Sequence, residues 1–466
     1  MNLLLAMLSG ALLFLANHPV HWWWLTFVGM VPLWFALHAQ RTAGRLLWPI
    51  GFVAAAASTL PLLLFAGTSP PIVAAAVFVL LQWTAFAMLA GRLLVRGPVL
   101  GPLAAAAVVT LAEMLSWYAV PIFGTAQCFA RPMSAAPEAI AFVAYTGLGG
   151  LVFALVATQA AVAVALRTRR ATPLLGAVAI VAVAGALDVL RQPRGEIGRT
   201  LRVAVHGWRG FPGNSTAAAP VFRRSFGADE GRVRLVVTPE VGGDVGVAGH
   251  WLGTREQAIA DLGHAAGTYD TCGAIGVFDL DAHDNRIWFV QPGKGLVAEY
   301  RKTHLIPWLE DYVAGDGTLA TMDVDGIKVG GMICQDDNFT DLGRAYGNAG
   351  VHLVAVPTND WPAIREYHLE NAIFRSIENG YAVARAASAG ISALIDCRGR
   401  VRHRLDHVEQ ARRDGTTGEG MLVDDLPVGD GRPTLYARLG EWPMLALSLL
   451  LLAAGARGAR RPLTAA

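Results

Sequence analysis

The chain has 466 residues, of which 54% are hydrophobic and only 16% are charged. Its formal net charge of +2 argues against a nucleic-acid partner, which would require a strongly basic surface. Most of the charged residues lie between Arg191 and Arg438, and long apolar runs lie on both sides of this polar region. A soluble core does not need so much apolar sequence, so the composition predicts a membrane protein with one large polar domain.

Eight apolar runs predict transmembrane helices, at residues 2–16, 22–38, 46–65, 72–95, 100–122, 140–166, 173–190 and 441–456. Several approach the roughly 20 residues that cross the hydrocarbon core of a bilayer, while the first and last are shorter. The first run would also fit a signal peptide, but it lacks an Ala-x-Ala-like cleavage site and more apolar runs follow it. We therefore expect a retained helix there.

Arginines occupy alternate loops between these runs. They lie between runs two and three, four and five, and six and seven, and after run eight, whereas the opposite short loops carry only Arg131. By the positive-inside rule, we expect the arginine-rich loops and both termini to be cytoplasmic, and the polar region to be outside. The expected domains are a seven-helix membrane domain at 1–190, an extracytoplasmic domain at 199–430 and a membrane helix at 441–456.

Short apolar strands alternate with helices along the polar region, which predicts an α/β fold with a largely buried sheet. Thr254 is the predicted N-cap of the first of these helices. Residues 299–312, which contain Pro307, are expected to be irregular. Strands are predicted at 201–205, 233–238, 274–280, 286–291, 328–333, 351–356, 381–386 and 391–395, and helices at 254–266, 342–348 and 364–378.

Three residues with reactive or charged side chains follow strands or lie in the irregular segment beside them: Glu240, Lys302 and Cys334. Chemistry in open α/β sheets gathers at the carboxyl ends of strands, which makes these residues catalytic candidates. Taken alone, each also fits a structural role: a helix cap or arginine partner for Glu240, a solvated charge for Lys302, and a buried thiol for Cys334.

The sequence predicts neither a metal nor another cofactor, because it contains no HExxH-like spacing and His304 has no partner at ligand spacing. The other three cysteines are Cys128, Cys272 and Cys397. They show no paired spacing, so the sequence leaves their disulfide status open.

The segments around the three candidates resemble the Glu-Lys-Cys triad of the nitrilase, or carbon–nitrogen hydrolase, superfamily. These are VVTPE ending at Glu240, YRKTHLIPW around Lys302 and GGMICQDD around Cys334. PTNDW from Pro357 and the helix from His368 extend the resemblance over residues 199–425. With eight membrane spans around it, the chain is similar to bacterial apolipoprotein N-acyltransferases. The resemblance implies a polytopic α-helical membrane domain and an αββα four-layer sandwich on the outer face of the inner membrane.

The resemblance also implies roles for individual residues. Cys334 would attack an acyl carbonyl while Glu240 accepts its proton, and Lys302 would hold the oxyanion with the backbone N–H of Gln335. Glu310 matches a second functional glutamate of the family. The substrate-binding residues that it implies are Trp308, Asn359, Asp360 and Trp361. The apolar residues 305, 306, 308 and 309 fit either a lip facing lipid or the core of the polar domain.

The implied activity moves a fatty acyl chain from a glycerophospholipid to the N-terminal amine of a diacylglyceryl-cysteine lipoprotein through a thioester. A membrane-tethered amidase or nitrilase acting on a smaller substrate is the alternative, and a non-catalytic scaffold is a third. The chain departs from the family pattern: Thr-Pro precedes Glu240 instead of Trp-Pro, and Gln-Asp-Asp follows Cys334 instead of an aromatic residue and a glutamate.

Overall fold

The computed structural model describes residues 1–66, 70–119, 124–191, 199–210, 218–241, 244–245 and 253–457. The chain divides into two compact units, Met1–Arg194 with Leu439–Ala466, and Gly195–Arg438. The first unit is helical, and the second contains both β-sheets.

In the described part of the first unit, seven α-helices precede the polar region: α1 Asn2–Ala16, α2 Val31–Thr42, α3 Trp48–Ala66, α4 Pro70–Leu93, α5 Leu100–Ala119, α6 Val143–Thr168 and α7 Leu174–Arg191. The helix Trp442–Arg457 follows the polar region. Among the described residues, three stretches are long and apolar enough to cross a membrane: Ile72–Leu93, Leu100–Tyr118 and Val143–Thr168. The chain therefore has a helical membrane region. The predicted 100–122 run ends outside the described residues.

Two predicted runs are interrupted. Run 22–38 is a 3-10 turn, Trp23–Phe27, followed by α2, which has a proline in its first turn, where the missing N–H is not needed. The polar side chain of Gln159 supports this break, since it accepts a hydrogen bond from the Met30 N–H (2.7 Å) and donates one to the Thr26 carbonyl (3.1 Å). In α6, Gly147 has a φ of 66°, a conformation that glycine adopts without strain, and it kinks the helix.

The second unit contains two mixed sheets. The first has strands in the order β13-β1-β2-β4-β5-β6, with the short β3 beside β4, and the second has the order β12-β11-β10-β9-β8-β7. The strands are β1 Thr200–Gly207, β2 Leu235–Val237, β3 Asp244–Val245, β4 Cys272–Asp279, β5 Asp284–Gln291, β6 Gly295–Arg301, β7 Thr321–Val324, β8 Ile327–Gly331, β9 Leu353–Asn359, β10 Ala382–Ser388, β11 Ile391–Ile395, β12 Val401–Asp406 and β13 Gly420–Pro427.

Helices cover the outer face of each sheet. On the first sheet, α8 (Ala218–Phe226) and α9 (Arg255–Tyr269) bury Phe222, Phe226 and Leu262 in a core with residues of β2, β4 and β5. On the second, α11 (Arg365–Asn379) packs on β10 and β11, and α10 (Thr340–Asn348) packs on α11 and contacts β8 through Tyr346. The shorter helices are α12 His407–Asp414 and α13 Leu435–Leu439.

The inner faces of the two sheets pack directly on each other. A Cβ placed on Gly331 of β8 would lie 2.6 Å from the Ile287 side chain and 2.9 Å from that of Phe289, both on β5. Only a glycine permits so close an approach, and no water layer fits between such surfaces. The order helix, sheet, sheet, helix confirms the predicted αββα sandwich.

Most predicted strands and helices of this unit are confirmed with boundary shifts of a few residues. Thr254 caps α9: its hydroxyl accepts a hydrogen bond from the Gln257 N–H at 3.3 Å. The prediction of irregular chain from residue 299 is wrong for residues 299–301, which belong to β6 and pair with β5. Strands β3, β6, β7, β12 and β13 are not predicted by the sequence. In β12, the sequence VRHRLD is largely exposed, so it lacks the apolar alternation that marks a half-buried strand.

Candidate active site

The three candidate residues come from different sheets. Glu240 lies shortly after β2 and Lys302 directly after β6, both in the first sheet, whereas Cys334 lies shortly after β8 in the second. Because the inner faces of the sheets pack together, the carboxyl ends of β2, β6 and β8 meet at one location. There Glu240 is hydrogen-bonded directly to Lys302. Glu240 and Cys334 both contact the backbone of Asn359.

Glu240 is buried and bound on both carboxylate oxygens. Its Oε1 accepts hydrogen bonds from Lys302 Nζ at 2.7 Å and from Asn285 Nδ2 at 2.8 Å. Its Oε2 accepts one from the backbone N–H of Asn359 at 2.8 Å. These donors hold the carboxylate in a single orientation, which a general base requires.

Lys302 is fully buried between two carboxylates. Besides Glu240, its Nζ donates to Glu310 Oε1 at 2.6 Å, and the other oxygen of Glu310 accepts a hydrogen bond of 2.8 Å from the Ile306 N–H. Burial alone would lower the pKa of Lys302, but Glu240, Cys334 and Glu310 offset it and raise this pKa well above the usual range. The ammonium is therefore a permanent positive charge in the site.

Cys334 follows β8 in a strained turn. Its φ is 46°, in the left-handed region that non-glycine residues rarely adopt, and strain of this kind often marks functional positions. The side chain is 3% exposed, and the thiol lies 3.8 Å from the Asn359 carbonyl oxygen. Burial, and then the negative charge of Glu240, raise the pKa of Cys334 well above its usual value, while Lys302 lowers it. The resting thiol is therefore protonated and needs a base.

Asn359, the last residue of β9, links Glu240 to Cys334 through its main chain. Its N–H donates to Glu240 and its carbonyl accepts from the Cys334 thiol. The resemblance implies that Asn359 binds substrate, and the structure adds this backbone connection. No spacing in the sequence indicates it, because it depends on β8 and β9 being neighbours.

The other predicted site residues have different surroundings. Trp308 is 71% exposed, and Trp361 is partly buried. Asp360 is buried, and Arg385 Nη2 donates to both of its oxygens, at 3.0 and 2.8 Å. The Gln335 side chain is also buried and accepts a hydrogen bond from Asn338 at 2.7 Å.

Asp336 is a functional candidate that the sequence did not single out. Its Oδ1 accepts hydrogen bonds from the backbone N–H groups of Thr303 and His304, at 3.3 and 2.7 Å, and its Oδ2 accepts from Tyr300 Oη at 2.7 Å and from the Ile333 N–H at 3.0 Å. The carboxylate thus ties the turn after Cys334 to the residues that flank Lys302. Its position two residues after the cysteine was the available signal.

One group of side chains in the described part of this unit has a ligand geometry for a metal ion. Atoms of Cys334, Asp360 and His368 all lie within 4.8 Å of one another. The guanidinium of Arg385 is bound to both Asp360 oxygens, and its positive charge opposes a cation there. Asp360, His368 and Arg385 instead form a network of charged and polar side chains beside the Cys334 thiol.

Comparison with known proteins shows what each region of the chain is similar to. The carbon-nitrogen hydrolase model matches residues 201–412, and the apolipoprotein N-acyltransferase N-terminal domain model matches residues 9–161. Curated apolipoprotein N-acyltransferases are similar over part of the chain: that of Geobacter metallireducens is 27% identical over 199 residues (37% of this chain, 36% of that protein), and that of Bordetella bronchiseptica is 34% identical over 194 residues (35% and 33%). The chain thus spans about a third of the length of the curated relatives it matches.

A solved amidase of the nitrilase superfamily from Nesterenkonia covers 53% of this chain and 96% of its own, at 19% identity and a TM-score of 0.43. The two family models match separate regions of the chain, one in the helical region and one in the sheet-containing unit. The helical region is therefore similar to the N-terminal domain of apolipoprotein N-acyltransferases, and the sheet-containing unit is similar to carbon-nitrogen hydrolases.

Proposed function

We propose that this protein transfers a fatty acyl chain from a glycerophospholipid to the α-amine of a diacylglyceryl-cysteine lipoprotein, through a thioester on Cys334. The observation that carries the proposal is the hydrogen-bonded pair Lys302–Glu240, with Cys334 beside it on the Asn359 backbone. The match of residues 9–161 to the apolipoprotein N-acyltransferase N-terminal domain model and the helical membrane region support this choice of substrates.

In the first half-reaction, the Cys334 thiol gives its proton to Glu240 as the sulfur attacks the ester carbonyl of the lipid. The oxyanion that forms is stabilised by the Lys302 ammonium and by the backbone N–H of Gln335, and one such donor contributes about 3 kcal/mol in the transition state. The carbon–oxygen bond of the ester then breaks. Glu240 returns the proton to the departing alcohol, which leaves a lysophospholipid and an acyl-Cys334 thioester.

In the second half-reaction, the lipoprotein amine attacks the thioester. The carbon–nitrogen bond forms, the carbon–sulfur bond breaks, and Glu240 carries the proton from nitrogen to the departing sulfur. Glu310 accepts a second hydrogen bond from Lys302, in addition to the one that Glu240 accepts. The ammonium therefore stays in place through both steps. Two sequential transfers through one covalent intermediate require ping-pong kinetics.

The loop that carries Glu310 provides a surface for lipid. Trp308 is 71% exposed and has a φ of 66°, and Leu309 and Val313 are also exposed. Exposed apolar groups of this kind favour contact with a membrane surface. We assign this loop, with Asn359, Asp360 and Trp361, to the neighbourhood of the substrate, and the phospholipid donor to the bilayer around it.

The proposed location is the bacterial inner membrane, with the sheet-containing unit on the periplasmic side and both termini in the cytoplasm. The support is the alternation of arginine-rich and arginine-poor loops. Cysteine labelling with a membrane-impermeant reagent checks it: a cysteine introduced at the exposed Thr318 is expected to be labelled in intact spheroplasts, and one introduced at Arg169 only after lysis.

The activity is tested with purified full-length protein in mixed micelles of phospholipid and a synthetic diacylated lipopeptide. Mass spectrometry should detect a lipopeptide heavier by one acyl chain and, when the lipopeptide is omitted, an acylated Cys334. Cys334→Ala should abolish both signals, and Cys272→Ala, which removes another buried cysteine of the same unit, should retain them. Release of free fatty acid or ammonia without acylated lipopeptide would instead identify a hydrolase.

A further inference from the structure

A network of charged side chains lies beside the Cys334 thiol and takes no part in the mechanism above. An atom each of Cys334, Asp360 and His368 lies within 4.8 Å of the others, and all three residues are buried. Asp337 and Arg385 complete the network and are fully buried. These residues come from the turn after β8, the end of β9, α11 and β10, so the fold converges on this point.

Asp360 is the fixed centre of the network. Its Oδ1 accepts hydrogen bonds from Thr358 Oγ1 (3.2 Å) and Arg385 Nη2 (3.0 Å) and lies 2.6 Å from His368 Nδ1. A Cβ placed on Gly390 would lie 2.1 Å from Asp360 Oδ2, so the carboxylate has no room to turn. With the carboxylate held in this way, His368 Nδ1 is the donor and the ring orientation is set.

The opposite side of the imidazole faces a second carboxyl group without a hydrogen bond. His368 Nε2 and Asp337 Oδ1 are buried, lie 3.6 Å apart, and have no hydrogen-bond partner in the described part of the chain. The other oxygen of Asp337 lies 3.3 Å from Arg385 Nη1. Two buried polar atoms facing each other are costly unless a proton lies between them.

The charges of the network balance only with such a proton. Asp337 and Asp360 supply two negative charges when ionised, and Arg385 supplies one positive charge. Burial alone would raise the pKa of Asp360, but Arg385 and His368 lower it to about 2, whereas burial raises the pKa of Asp337. Environments that push two carboxyl pKa values apart identify the permanent anion and the group that holds the proton. Here Asp360 is the anion, and Asp337 with His368 is the site of the proton.

We propose that His368 is a positioning residue that acts on Cys334. His368 shares one proton with Asp337, and this proton keeps the network beside the sulfur electrically neutral. Without that proton, the network would present a net negative charge to the thiolate that forms when Glu240 accepts the Cys334 proton. Arg385 alone would then have to balance two carboxylates. The other charged group near Asp337 is Arg375 of α11, which is already paired with Glu378 at 2.7 Å.

This inference rests on Cys334 being the nucleophile of the proposed function, but it can be tested on the thiol without any acyl substrate. The experiment measures the alkylation rate of Cys334 by iodoacetamide in the full-length, detergent-solubilised protein between pH 5 and 10. The modified peptide is quantified by mass spectrometry. His368→Gln removes the imidazole that shares the proton, and Asp337→Asn removes the carboxyl group that leaves a negative charge when the proton is lost.

The two substitutions should move the midpoint of the pH profile in opposite directions. We expect a rise of about one unit for His368→Gln and a fall of similar size for Asp337→Asn, the shift typical of a charge at ~4–6 Å. Loss of packing alone would move both in the same direction. His407→Gln is the matched control, because His407 is also buried in this unit and bonded to Ser392 (2.7 Å) and the Gly418 carbonyl (2.7 Å).

The inference is overturned if His368→Gln leaves the midpoint unchanged, if both substitutions shift it in the same direction, or if His407→Gln shifts it equally. Failure of the acyl-transfer assay with the opposite shifts intact would reject the proposed function and leave the proton-sharing network standing.

Discussion

Asp336 Oδ1 accepts a hydrogen bond of 2.7 Å from the backbone N–H of His304. The contact joins the turn that carries Cys334, from the second sheet, to the residues next to Lys302, from the first. Since Glu240 and Lys302 belong to the first sheet and Cys334 to the second, contacts of this kind hold the two halves of the site in register.

Substitution of Asp336 by alanine should therefore disrupt both stability and the site. It leaves the Tyr300 hydroxyl and the Ile333 and His304 N–H groups without their acceptor, and each buried group left unpaired costs about 1–3 kcal/mol. We expect a marked drop in the unfolding temperature and slower alkylation of Cys334. The control is Asp341→Asn: this exposed carboxylate lies 3.2 Å from the other nitrogen of His304, and its loss should cost less than about 1 kcal/mol.

The same histidine predicts a pH dependence of stability. Burial alone would lower the pKa of His304, but its bonds to Asp336 and Asp341 raise it to about 9. Because the pKa is higher in the folded state than the unfolded value near 6.5, the stabilisation is complete below pH 6.5 and is lost as the pH rises through 9. Thermal unfolding of wild type at pH 6 and pH 9.5 should show this loss. His304→Gln should flatten the difference, and an identical pH dependence in both proteins would contradict the prediction.

Lys302→Met should abolish acyl transfer and destabilise the protein strongly. The substitution leaves Glu240 and Glu310 buried without their shared cation, and removing one partner of a buried ion pair typically costs about 3–5 kcal/mol. Adding Glu240→Gln and Glu310→Gln to this variant removes the unpaired charges. Chemical denaturation should then show recovered stability without recovered activity. A triple variant no more stable than Lys302→Met would refute the role of the charges.

Trp308→Ala should affect the use of membrane lipid without affecting the fold. An exposed side chain contributes within about 0.5 kcal/mol to stability, whereas a tryptophan offers about 150–250 Å² of surface to a bilayer. We expect KM for phospholipid in vesicles to rise about tenfold, with the turnover of a short-chain soluble thioester unchanged. Trp308→Phe should keep KM for phospholipid close to the wild-type value. Val297→Ala, at an exposed apolar site on β6, should not change KM. Equal losses with both donors would argue against a lipid-contacting loop.

Gly276→Ala should displace Glu240, the proposed general base, without changing its side chain. A Cβ on this β4 residue would lie 2.0 Å from the Pro239 carbonyl oxygen and 3.1 Å from Glu240 Cα, so the backbone before the base must shift. Overpacking of this kind costs about 1–3 kcal/mol, and acyl-enzyme formation should fall more than stability alone explains. The matched control is Gly267→Ala in α9, where the added methyl meets open space and should stabilise the helix by up to about 1 kcal/mol.

Much of the fold was predictable because its signals are local. Apolar runs long enough for a bilayer, the alternation of strands with helices, and the Thr254 cap are properties of neighbouring residues, and all have counterparts in the structure. The exceptions include β12 and the start of the 299–312 segment, which belongs to β6. Edge strands such as these are recognised by a pairing partner that is distant in sequence, and no local periodicity reveals it.

The amino-acid sequence by itself determined that the chain combines apolar helices with an α/β domain, and which carboxylate, ammonium and thiol were candidates for the chemistry. The tertiary structure alone decided how their charges are balanced. Asn359 connects the base to the thiol through its backbone, and Asp337, Asp360 and Arg385 surround His368. The physical reason is that electrostatic interactions depend on distance and burial, and both are set by the packing of two sheets whose strands are far apart in the sequence.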